Sequence, residues 1–202
     1  MRLNSEDRRA SIVDAACLLF AEKGFRGTTT RELAAAVGVT EPILYEHFKT
    51  KRDLYSAIIE KKSSQGTHLL NALRDQYLEV DDDRGYFFRL GMLIIDWYTS
   101  DPTFVRLLLF SNLEGHELKE LFHNATGNCF DIASGYLERR IEKGAIKKLD
   151  ASVAARAFFG MVAHYSLTGL VFGFAPFAKS NEEVVREMVG IFMDGICQQE
   201  KQ

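Results

Sequence analysis

Two helix-start signals with a single glycine between them constrain this chain more than any other feature. Thr29 is followed three positions later by Glu32, the pattern in which a threonine hydroxyl and a glutamate carboxylate satisfy each other's free backbone amides at a helix N-terminus. Leu33 and Ala36 then form a short apolar face, and Gly38 supplies the left-handed turn that residues with a β-carbon resist. Thr40 is the next N-cap. Pro42 falls in the first turn, where its missing N–H costs nothing, and Leu44 and Phe48 sit one turn apart to anchor the second helix inward. Glu41, Pro42, Tyr45 and Glu46 are left facing outward. Two short helices across a tight turn, the second with a polar outer face, make the shape that enters a DNA major groove.

From Ile12 to Leu54 the chain resembles the TetR/AcrR family of transcriptional regulators. The resemblance rests on Gly24-Phe25-Arg26-Gly27-Thr28-Thr29, on the turn Val37-Gly38-Val39-Thr40, and on Leu44-Tyr45-Glu46-His47-Phe48-Lys49-Thr50-Lys51-Arg52-Asp53-Leu54. Several residue types recurring at fixed offsets are more specific than one short pattern. The resemblance implies that the second helix reads the groove, that Tyr45, His47 and Lys51 touch phosphates, and that the C-terminal part dimerises and holds an inducer. Thr29, Thr30, Thr40, Glu41, Pro42, Ile43, Tyr45, His47 and Lys51 form the expected DNA-facing set. Ile43, Glu41 and Glu46 depart from the family pattern, and Ile43 could touch a thymine methyl.

Apolar residues elsewhere recur at helical spacing, with no strand-like alternation and no internal repeat. A first helix runs from Ser5 to Lys23 and stops at Gly24; Thr50 with Asp53 opens a long one to about Glu79. Residues 86–100, 103–113 and 116–143 read as three more, broken at Asp81-Asp82-Asp83 and at Asp101-Pro102. Asp150 caps an apolar helix to about Phe174, and Asn181 caps the last. The expectation is an all-α chain of about nine helices, with a DNA-binding domain over residues 1–50 and a helical ligand-binding and dimerisation domain over 51–202.

Charge distribution fits this division weakly. Residues 1–55 hold nine Lys or Arg against eight Asp or Glu, a net +1, which leaves −4 for the rest of the 202 residues. Such a chain would bind DNA through positioned contacts and by doubling them in a dimer, not through a broad basic field. Cys17, Cys129 and Cys197 are far apart, without a disulfide framework or zinc spacing, which fits a reducing cytoplasm. Glu6, Asp7, Arg8 and Arg9 stand where a signal peptide would need an apolar stretch, so secretion is not expected. The 22 residues from 157 to 178 carry no Asp, Glu, Lys or Arg, but Gly169, Gly173 and Pro176 interrupt them and no basic cluster flanks them, so no membrane span is expected.

The helix from Asp150 is apolar on every side and must be covered on every side, by a second copy of the chain or by its own core. With the broad stripe of the last helix it suggests a homodimer face through Phe158, Met161, Tyr165, Val185, Met188 and Phe192. The aromatic-rich C-terminal half suits a small apolar, aromatic or acyl effector, with Trp97, Phe104, Phe122, Phe130 and Phe159 as wall and Cys129 and His164 as polar or soft groups. His116, Glu120 and His123 share a helix face, but on a turn that reads as exposed, so neither a metal nor another cofactor is expected. No phosphate loop, nucleophile elbow or His-Glu-x-x-His run supports an enzyme, whose one plausible reactive pair would be Cys129 and His164. The expected function is a repressor that a small molecule releases from a palindromic operator. A DNA-binding regulator without a ligand is the alternative within that class, and a small helical enzyme or carrier is the one outside it.

Overall fold

The computed structural model describes residues 5–113, 116–174 and 178–196, with the side chains of residues 65, 111, 112, 116–119 and 121–127 outside that description. Among the described residues the chain is helical: α1 (Ser5–Gly27), α2 (Thr30–Val37), α3 (Glu41–His47), α4 (Lys51–Val80), α5 (Asp83–Ser100), α6 (Pro102–Leu113), α7 (His116–Glu142), α8 (Ala151–Tyr165) and α9 (Asn181–Ile196). The helix starts follow the sequence signals. Thr50 and Asp53 exchange backbone amides at the head of α4, with Thr50 N donating to Asp53 Oδ2 at 3.0 Å and Asp53 N to Thr50 Oγ1 at 3.1 Å. Asp150 Oδ1 accepts from Val153 N at 3.0 Å. The last cap falls one residue earlier than expected, because Ser180 and Glu183 make the reciprocal pair and Asn181 instead accepts from the Tyr165 hydroxyl at 2.9 Å.

One expected helix is two segments. Residues 150–174 are α-helical only to Tyr165 and continue as a wider π-helical stretch, Ser166–Val171. Ser166 Oγ donates to Val162 O and Thr168 Oγ1 to His164 O, so hydroxyls engage the carbonyls of the preceding turn and loosen the regular ladder. Gly173, at φ 76°, follows.

Packing divides the chain into two compact units, residues 1–65 with 102–126 and residues 66–101 with 127–202. The first unit therefore extends past residue 50: the three N-terminal helices close their core only with the head of α4 and with α6. Phe20, Phe25 and Tyr55 pack with ring centroids 5.0–5.8 Å apart, and the buried Tyr55 hydroxyl donates to Leu107 O at 2.9 Å. The second unit is centred on Phe87, whose ring lies 4.8 Å from both Phe158 and Phe192. Gly91 lets α9 approach α5 here, since a β-carbon would come within 2.7 Å of Val185 Cγ1. A buried ionic corner closes this unit: the Arg140 guanidinium, 5% exposed, engages Asp81 and Asp83, and the Tyr136 hydroxyl donates to Asp83 Oδ1 at 2.6 Å.

This core answers the question that an all-round apolar helix poses. Phe158, Tyr165, Val185 and Phe192, expected at a homodimer face, are buried within the chain itself. Met161 and Met188 are half-buried against the same core. What α8 and α9 leave exposed is a different set, including Val153, Ala157 and Gly160 on α8 and Ile191 on α9. No described helix is long and apolar enough to cross a membrane.

Candidate nucleic-acid interface

The first unit builds a rigid two-helix turn from short-range bonds. Thr29 is extended at φ −93° and ψ 154°; its hydroxyl accepts from Glu32 N at 3.2 Å, and Glu32 Oε2 accepts from Thr29 N at 2.9 Å. Lys23 Nζ reaches the same carboxylate at 2.7 Å. Hydrogen bonding from Lys23, with those from Thr29, pulls Glu32 from an ordinary 4.5 down to about 2. Gly38, at φ 72°, sends its N–H to Ala35 O while Val39 N reaches Ala34 O, closing α2 with a left-handed cap.

The capping box carries a pH signature. A carboxyl whose folded pKa is depressed stabilises the fold fully above its unfolded value, and that contribution is lost as pH falls through the folded value. The melting-temperature advantage of the wild type over Glu32→Gln should accordingly be full above about pH 4.5 and shrink as pH falls towards about 2, which thermal melts across that range would measure. An advantage constant down to pH 2 would mean that the Lys23–Glu32–Thr29 cluster does not form.

In α3, Leu44 and the following Phe48 are each 3% exposed and anchor the helix inward, as expected. Pro42, Tyr45 and Glu46 are exposed, while Glu41, Ile43 and His47 are half-buried. Thr40 has the extended backbone of an N-cap, but its side chain makes no capping hydrogen bond. Thr40 itself is exposed.

Besides Thr29, three of the residues expected at DNA have side-chain bonds within the chain. Thr30 Oγ1 donates to Glu41 Oε2 at 2.8 Å. Lys51 Nζ donates to Phe25 O at 2.7 Å and Thr28 O at 2.9 Å, and lies 4.4 Å from the Phe25 ring centroid. The ammonium thus closes the carbonyl end of α1 after the break at Gly24, φ 74°. Lys51 is an end cap by geometry, a role that needs two segments 23–26 residues apart and leaves no mark at helical spacing.

Sequence reasoning passed over Arg8 and Ser11, which α1 brings beside the turn. With Val37, Gly38, Val39, Thr40 and Ile43 they line an open cleft of about 380 Å³. Their three-residue spacing on the first turns of α1 was the available signal. Neighbouring Arg9 stacks its guanidinium 4.5 Å from the Phe48 ring centroid, tying α1 to the end of α3.

The residues expected around an effector are not all brought together. Phe130 and Phe159 meet edge to face at 5.0 Å, with the Arg156 guanidinium 4.5 Å from the Phe130 centroid. Cys129 is half-buried beside them; burial pushes its thiol up to about 11, so it stays protonated at neutral pH and is a poor nucleophile. Trp97 lies against Gly66, where a β-carbon would come within 3.1 Å of the indole. Phe104 packs on the core of the first unit instead, and His164 is exposed. The Phe122 side chain lies outside the described residues, as do those of His116 and His123. No three His, Cys, Asp or Glu among the described residues are grouped so as to hold a metal.

Residues 12–58 match the family model of bacterial regulatory proteins of the tetR family, and residues 103–195 that of the AefR-like transcriptional repressor C-terminal domain. The HTH-type transcriptional regulator YvkB of Bacillus subtilis is 24% identical over 189 residues, 92% of this chain and 95% of that one. The regulator FadR of Bacillus subtilis, solved in complex with stearoyl-CoA, superposes with a TM-score of 0.75 at 20% identity, covering 92% of this chain and 98% of its own. AibR, in complex with isovaleryl coenzyme A and operator DNA, gives 0.62 at 21%, covering 91% and 97%.

Proposed function

The chain belongs to the TetR family of bacterial regulatory proteins and is a DNA-binding transcriptional regulator, not an enzyme; from that premise we propose that it is a cytoplasmic repressor, released from a palindromic operator by a small apolar effector. One observation carries the DNA half of the reading. The bonded turn presents an α3 whose inner side is fixed by Leu44 and Phe48 and whose outer side offers Pro42 and Ile43 to base edges. Thr40 and His47, at the two ends of α3, flank that surface and contact phosphates together with Tyr45. Thr29 and Lys51 shape this surface through their intrachain bonds, the one as a cap of α2 and the other at the end of α1.

Fluorescence anisotropy with DNA from upstream of its own gene tests the reading. Binding should weaken as salt rises, because phosphate contacts release counterions. Tyr45→Phe and His47→Ala should each weaken binding by a similar factor whatever the base sequence, whereas Ile43→Ala should alter preference at one position. A Tyr45→Phe or His47→Ala protein with unchanged affinity and altered base preference would reverse those roles.

Family members bind operator DNA and dimerise, and the dimer face proposed here is the exposed side of α8 and α9. A β-carbon at Gly160 or Gly190 would meet nothing of this chain within 4 Å, so intrachain packing does not require a glycine at either place. Glycine inside a helix costs about 1 kcal/mol relative to alanine, a cost that close approach of a second backbone would explain. Val153 and Ile191, 63% and 72% exposed, flank these positions, and Met161 and Met188 lie at their margin.

For the effector, the acyl coenzyme A thioesters bound by FadR and AibR support a ligand with an apolar acyl part. In this chain the Phe130–Phe159 pair, with Cys129 and Trp97, is the proposed wall, and Arg156 beside the Phe130 ring would suit an anionic end. Such a ligand should raise the melting temperature and weaken operator binding by the same factor by which operator weakens the ligand. Phe159→Ala should blunt both effects.

A further inference from the structure

Acidic Glu41 stands in the first turn of the helix that reads DNA, where a carboxylate would repel phosphates, and the structure gives it another task. Its Oε2 accepts a 2.8 Å hydrogen bond from Thr30 Oγ1, joining the first residue of α3 to the first residue of α2. We infer that Glu41 is a positioning residue whose bond to Thr30 fixes the pose of α3. This rests on the DNA-reading role of α3 proposed above.

The geometry shows why such a bond is needed. Helix α3 has only seven residues, and its inward anchors, Leu44 and Phe48, lie at its middle and just beyond its end. Its N-terminus lacks the side-chain cap that α2 has, because Thr40 makes no capping bond. The Thr30–Glu41 bond is the side-chain tie at that end, so without it the first turn of α3 could swing about Leu44 and carry Pro42 and Ile43 with it. The charge is also well placed, since a carboxylate beside the N-termini of two helices meets two positive dipole ends. Thr30 commits its one hydroxyl proton to this bond and cannot at the same time donate it to a phosphate.

Five full-length variants test the inference: Thr30→Val, Glu41→Ala, the two combined, Thr30→Ser and Glu41→Gln. Thr30→Val and Glu41→Ala should each weaken operator binding roughly 3- to 10-fold, the scale of one hydrogen bond. The loss should be uniform across operators changed one base pair at a time, and the double variant should be no weaker than either single one. Thr30→Ser and Glu41→Gln keep a donor and an acceptor, and should restore binding. In the free protein, α3 amides should exchange hydrogen faster in Thr30→Val and Glu41→Ala than in the wild type. Additive losses, a neutral Thr30→Val, or a Glu41→Ala that alters preference at one base pair would overturn the inference and make Glu41 a direct reader. Unchanged exchange in α3 would also overturn it. If the wild type binds no operator, the regulator reading fails with the DNA role of the bond, and the exchange rates alone still decide whether the bond holds α3.

Discussion

Phe158→Ala should lower the free energy of unfolding by about 3–5 kcal/mol, the range for removing a phenylalanine from a core that cannot collapse around the gap. Phe158 is fully buried, with Phe87 4.8 Å and Phe192 5.2 Å away, so truncation removes two ring contacts along with the buried area. Phe158→Arg should not fold, because a guanidinium there has neither water nor a carboxylate. Urea unfolding followed by circular dichroism, at one protein concentration so that dimer linkage stays constant, measures the first effect. A folded but monomeric Phe158→Arg would instead put this ring at a face covered by a second chain.

Ile191→Arg should show the opposite pattern. Ile191 is 72% exposed within the chain, so arginine costs the fold little and the melting behaviour of the isolated chain should change slightly. At the proposed dimer face the same charge would be desolvated without a partner, and the dimer should dissociate at micromolar concentration. Operator affinity should fall by about 100-fold or more with it, since two linked heads gain that much from binding both half-sites together. Sedimentation velocity and anisotropy on one sample test both halves. A dimer of normal mass would remove the exposed side of α9 from the interface.

The two substitutions separate residues that look equivalent as a pattern. Phe158 and Ile191 both belong to apolar stripes on helices hydrophobic enough to need cover, and periodicity reports that need without saying what meets it. In this chain Phe87, Phe158 and Phe192 cover one another, bringing together α5, α8 and α9 from positions up to about a hundred residues apart. The effector wall shows the same difficulty. Phe130 and Phe159 meet, but Phe104 belongs to the other compact unit, and no spacing rule distinguishes the three.

Site residues behave likewise. Thr29, Glu32 and Gly38 do in the structure what their spacing implies, and so do Thr50, Asp53 and Asp150. Thr30, Glu41 and Lys51 are exposed or half-buried polar residues in a DNA-binding motif, which made them expected contacts, yet each bonds within the chain. The family motif records that such residues recur, not whether their hydrogen bonds point inward or out.

Residue order alone therefore specifies what acts within about one helical turn: caps, the left-handed turn at Gly38, helix identity, and the inward pair Leu44 and Phe48. These follow from local backbone sterics and from hydrogen bonds between residues three or four apart. Tertiary structure alone decided which stripe is core, that Lys51 closes α1, and that Glu41 meets Thr30. Each of those depends on contacts between residues eleven or more positions apart, which the chain reaches only once its helices have packed, and burial and bonding there are settled by shape and not by periodicity.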